Sequence, residues 1–118
     1  MKKIELGVVP EIKEYDKVVY ISHPFQNKPH NIVMIEEVVK ALTLKNPNNL
    51  YICPVLTFGF MYEDVDYETG LNMSMAMLKF CDEVQVYGDY ENSVGCVREI
   101  AYCESHKIPY SIHKQYPF

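Results

Sequence analysis

Four short apolar runs alternate along the chain with longer stretches in which apolar residues recur every three or four positions. The runs predict strands covered on both faces. The stretches predict amphipathic helices. Lys17 to Ser22, K-V-V-Y-I-S, is the first strand. His23-Pro24 ends it, because the residue before a proline is pushed away from helical backbone angles. Asn31 to Leu44 follows as a helix with Ile32, Ile35, Val38, Val39 and Leu42 on its stripe, capped by Asn31 or an earlier polar residue. Asn46-Pro47-Asn48-Asn49 stops it.

Leu50 to Val55 reads as the second strand, closed by Pro54. Leu56 to Tyr67 mixes aromatics with acids, fits neither period, and predicts a long functional loop. Gly70 to Cys81 is a helix with Met73, Met77, Leu78 and Phe80–Cys81 as its apolar faces. Glu83 to Tyr87 is the third strand and Gly88 to Asn92 a polar loop. Ser93 opens a helix to about His106, with Val94, Val97, Ile100 and Ala101 as its expected buried stripe, and Ile108 to Ile112 is the fourth strand. Residues 1–15 read as an N-terminal arm, with an edge strand as one option.

Strand–helix alternation of this kind implies an α/β domain: a mainly parallel sheet of four or five strands with helices on both faces, three layers in all. Ligands bind such sheets outside the carboxyl ends of the strands, at the switch point. Ser22-His23-Pro24-Phe25 and Asn92-Ser93-Val94-Gly95 leave those ends.

Composition narrows the function. The chain has 118 residues, 48% hydrophobic and 23% charged, which suits one globular domain. Its net charge of −5 disfavours a duplex nucleic acid as partner. No apolar stretch approaches the roughly 20 residues that span a bilayer. No signal-like segment opens the sequence, so the expected location is cytoplasmic and no membrane partner is expected. Cys53, Cys81, Cys96 and Cys103 form no C-x-x-C pair and read as buried reduced thiols. The histidines have no metal-ligand spacing with them, so neither metal nor cofactor is expected.

Gly95 and Glu99 are four residues apart and share a helix face. A glycine one turn above a carboxylate leaves space over it, and Ser93 is a good N-cap. A ligand lying on the free N–H groups of that first turn reaches Glu99. The plainer alternative makes Glu99 a solvated helix acid and Gly95 a packing glycine. His23 in the crevice is a candidate hydrogen-bonding or titrating group, with a purely structural role as its alternative. Asp64 and Asp66 are candidates for gripping sugar hydroxyls, or simply a charged loop tip.

The run V-V-Y-I-S-H-P-F resembles the first strand and loop of the nucleoside 2-deoxyribosyltransferase-like superfamily, which reads Tyr-Ile/Leu-Ala/Ser-Gly/small-Pro-Phe/Tyr there. C-D-E-V-Q-V-Y-G (Cys81 to Gly88), S-V-G-C-V-R-E-I-A-Y (Ser93 to Tyr102) and K-I-P-Y (Lys107 to Tyr110) resemble its C-terminal half. The likeness covers residues 16–113 and is strongest to the short members of bacteria and their phages. It implies a Rossmann-like domain that binds a nucleoside or nucleotide, with Tyr20, Ser22, His23, Pro24 and Phe25 around the ligand.

In the transferases of that superfamily the glutamate of D-x-G-x-x-x-E attacks the anomeric carbon. It releases the base and leaves a covalent glycosyl-enzyme. Glu99 matches that glutamate and Gly95 the glycine. Ser93 stands where the transferases carry an aspartate, a second pocket aspartate falls near Ser74, and His23 replaces a small residue. Three expectations follow. The first is N-glycosidic cleavage or transfer with Glu99 as nucleophile. The second is a non-catalytic binder or sequestering protein for a nucleotide-derived ligand. The third is an interaction subunit with a vestigial pocket. The resemblance also implies a homo-oligomer, with the Tyr116-Pro117-Phe118 end or the 58–67 aromatics against a neighbouring copy.

Overall fold

A computed structural model describes Gly7 and residues 11–118, the side chains of residues 63 and 64 excepted. Its elements are β1 (Lys17–Ser22), α1 (Pro29–Lys45), β2 (Asn49–Ile52), α2 (Pro54–Asp64), α3 (Tyr67–Leu78), β3 (Glu83–Val86), a 3-10 turn at Tyr90–Asn92, α4 (Val94–His106) and β4 (Tyr110–Ile112). The sheet is four-stranded and parallel throughout, in the order β2-β1-β3-β4. The expected arm over 1–15 lies largely outside the described residues, and residues 11–15 form neither helix nor strand.

Strand β1 is central and its side chains alternate between two cores. Val19 and Ile21 pack with Ile35, Val38 and Leu42 of α1. Tyr20 points the other way, with Val84 and Val86 of β3, Leu78 of α3 and Cys103 of α4. The sheet is thus covered on both sides, which is why β1 reads as an unbroken apolar run. Each fully buried aliphatic side chain contributes roughly 1.5–3 kcal/mol.

Prolines start helices here as well as ending strands. Pro54 sits at the start of α2 and Pro29 at the start of α1, where the missing N–H costs nothing. The second strand therefore stops at Ile52, not Val55. The expected loop over 56–67 is instead the body of α2 and the first residue of α3. Val55, Phe58, Gly59 and Tyr62 turn inward or half-inward at helical spacing. Exposed Leu56 and Phe60 blur that period. Nor does Asn31 cap α1: Lys28 holds the cap position without a side-chain bond, and Asn31 Nδ2 donates to the Phe25 carbonyl at 2.8 Å.

Of the stripe expected on α4, only Ile100 packs against the core. Val94, Val97 and Ala101 are exposed, whereas Cys96, Glu99 and Cys103 are buried. Counting cysteine as apolar gives the correct i, i+3, i+7 stripe, with Glu99 on it. Helix α3 likewise ends at Leu78, leaving Phe80 exposed. Among the described residues, no helix is long and apolar enough to cross a membrane.

Candidate functional site

The chain leaves β1 toward β2 on one side and later crosses to β3 on the other, so the switch point falls between β1 and β3. The exit of β1 and the start of α4 meet there. Ser93 caps α4, its Oγ accepting from the Cys96 N–H at 3.3 Å. In the same turn, Gly95 lines the cavity without a side chain, one turn before Glu99; a Cβ there would meet the Tyr67 hydroxyl at 3.3 Å.

Glu99 is 6% exposed. Ser22 Oγ donates to its Oε1 at 3.1 Å, and the Tyr20 hydroxyl beside it also favours the ionised form. Burial pushes the carboxyl up to about 7, against the opposing pull of the Tyr20 and Ser22 donors. Tyr20 itself is held well above the ordinary phenol range by its burial and by Glu99, so it stays protonated as a donor. A buried carboxyl that titrates near neutrality in a crevice is a candidate functional group, and its burial rules out a solvated helix acid.

The cavity over Glu99 holds about 30 Å³, room for a water or two. Tyr20, Ser22, His23, Phe25, Ser93, Gly95 and Glu99, all expected from the sequence, line it. Pro24 does not; its carbonyl takes the His23 Nδ1–H at 2.7 Å. That leaves His23 Nε2 to accept from the Tyr116 hydroxyl at 3.0 Å. Desolvation lowers the His23 pKa below its usual value, so the ring is neutral near pH 7. Asp66 does not reach the cavity. It caps α3, accepting from the Thr69 N–H at 2.7 Å and the Thr69 hydroxyl at 2.9 Å, and those bonds depress its pKa. The Asp64 side chain lies outside the described residues.

A family model described as a domain of unknown function, DUF7768, matches residues 17–113. The chain belongs to the DUF7768 family. No curated protein matches it. The span shared with DUF7768 runs from β1 past β4 and holds every residue around Glu99. It leaves out Tyr116, which stacks on His23 with ring centroids 5.9 Å apart and on Tyr87 at 6.4 Å. The Tyr116 ring of this DUF7768 chain thus docks over the carboxyl ends of β1 and β3.

Sequence reasoning missed Tyr62 and Tyr67, which close the cavity from α2 and α3. Tyr67, Leu71 and Ser74 share one face of α3 at i, i+4, i+7, a signal that shows only once residue 67 is placed on the helix. Ser74, where the resemblance expects an aspartate, instead bonds the Tyr62 hydroxyl at 2.9 Å and the Gly70 carbonyl at 3.1 Å. Ser93 Oγ is similarly engaged as a cap. Among the described residues, Glu99 is the only carboxyl lining the cavity, and no three His, Cys, Asp or Glu side chains gather as metal ligands.

Proposed function

We propose that the chain binds a nucleoside or nucleotide and cleaves or transfers its N-glycosidic bond, with Glu99 as nucleophile. One observation carries this reading. A single buried carboxyl, oriented by Ser22 and Tyr20, stands at the switch point one turn below Gly95. As a carboxylate it attacks the anomeric carbon, and the C–N bond electrons leave with the base. Water or a second base then takes the sugar from Glu99. The departing base needs a proton; neutral His23 has none to give, since its Nδ1–H is held by the Pro24 carbonyl and its Nε2 accepts from Tyr116, and the Ser93 and Ser74 hydroxyls are engaged, so water supplies it.

Those engaged hydroxyls favour a second reading, a non-catalytic nucleotide binder. Thermal-shift and chromatographic assays on the same nucleoside and monophosphate panel separate the two. Base release that disappears in Glu99→Gln supports the enzyme. Melting-temperature shifts without product support the binder. Neither response across the panel removes both.

A homo-oligomer belongs to the same proposal. Its support is the apolar outer face of α4, with Val94 and Val97 about half exposed, and an open groove of about 600 Å³ beside α1 and α2 rimmed by Val33, Leu56 and Phe60.

A further inference from the structure

The cavity over Glu99 is far smaller than the roughly 300 Å³ at which small-molecule sites begin. Any ligand larger than water needs part of its wall to move. The candidate walls are not held equally. Tyr62 is pinned: its hydroxyl bonds Ser74 at 2.9 Å and its ring lies against the Gly70 backbone. Strand β1 and helix α4 belong to the packed core. Tyr67 is different. It is 43% exposed, it is the first residue of α3, and it follows a two-residue link, Val65-Asp66, from α2. Its ring leans on Tyr62 at 5.3 Å, and its hydroxyl lies over Gly95, 3.3 Å from where a Cβ there would stand.

The next residue ties this corner down. Glu68 receives both of its oxygen contacts from Arg98 Nη1, at 3.0 Å each, joining the first turn of α3, next to Tyr67, to α4. The pair is exposed on both sides. A surface ion pair of this kind is weak and weakens further with salt. It holds a closed corner without locking it.

We propose that Tyr67 is the gate of the Glu99 cavity and that the Glu68–Arg98 pair is its latch: ligand entry turns Tyr67 outward and takes over its contact with Gly95. The gate rests on the reading of Glu99 as the group that faces ligand. Opening of this sort is a local rearrangement at an element boundary.

Cys96 reports on it directly. It is 1% exposed, lines the cavity, and lies one residue beyond Gly95. Cys103, buried on the same helix away from the cavity, is the internal control. The experiment measures labelling of each cysteine by methyl methanethiosulfonate, resolved by peptide mass spectrometry, in the full chain. Glu68→Gln and Arg98→Gln raise the Cys96 rate about two- to fivefold, as does salt in the wild type. Tyr67→Ala raises it further, and Tyr67→Phe, which keeps the ring, raises it less. Cys103 stays constant throughout. A Cys96 rate unchanged in folded Tyr67→Ala and Tyr67→Phe overturns the gate, as does a parallel rise at Cys103. Adding nucleosides and monophosphates separates the two proposals. Protection of Cys96 with no effect of the Tyr67 variants sinks the gate alone. A Tyr67 effect with no protection by any of them sinks the functional reading alone.

Discussion

Ser22 Oγ donates to Glu99 Oε1 across 3.1 Å, and that bond ties the last residue of β1 to the second turn of α4. The two residues are 77 positions apart in the chain. The bond favours the ionised carboxylate and so opposes the upward push of burial. Ser22→Ala removes a donor from a buried charge, and the Glu99 pKa moves above its value of about 7. Carbon-13 NMR of labelled glutamate reads this shift; a lower or unchanged pKa contradicts the arrangement.

The raised pKa has a consequence for stability, with a definite sign. In the unfolded chain Glu99 ionises near its ordinary value, and in the folded chain near 7. Between those values the folded state binds more protons, so this residue's contribution is greatest at low pH and is lost as pH rises through 7. A shift of that size corresponds to about 3 kcal/mol, an order-of-magnitude figure. Glu99→Gln therefore melts higher than wild type at pH 8, and the gap narrows toward pH 5. Melting curves across that range check it. A variant that is less stable than wild type at pH 8 contradicts the assignment.

Gly70 offers a test of packing against propensity. Alanine in place of a mid-helix glycine ordinarily stabilises by about 0.5–1 kcal/mol. Here an added Cβ meets the Tyr62 ring. Gly70→Ala destabilises by about 1–3 kcal/mol and loosens Tyr62 from Ser74. Denaturant unfolding decides the sign.

Light scattering at micromolar concentration tests the homo-oligomer. The expected mass is that of a dimer or larger. Replacing Val94 and Val97 with serine shifts it toward the monomer if the outer face of α4 is the contact. A monomer mass for the wild type removes the oligomer from the account.

The order of strands and helices is legible because β1 and β3 read as β-branched runs with buried residues and most of the connections carry proline, asparagine or glycine. Seven of the expected site residues line one cavity because two strand exits converge on a switch point. What failed has physical causes. Pro54 looks like a strand terminator and serves as a helix start. Leu56 and Phe60 are apolar but exposed, which erased the period of α2. Val94 and Val97 did the same for α4, while cysteine, a small hydrophobe, carried the true stripe. For Asp66 the sequence leaves a ligand group and a charged loop tip both open, because a cap and a sugar-binding acid use the same side chain at the same kind of loop end.

The central claim is that Glu99 reacts with a nucleoside. It is tested most directly by following base release chromatographically, with nucleosides and their monophosphates, with and without an acceptor base, in wild type and Glu99→Gln. The account predicts release or exchange of free base at a rate that rises as pH passes through about 7, where Glu99 ionises. It predicts a loss of at least about a hundredfold in Glu99→Gln. Base release that persists undiminished in Glu99→Gln contradicts it.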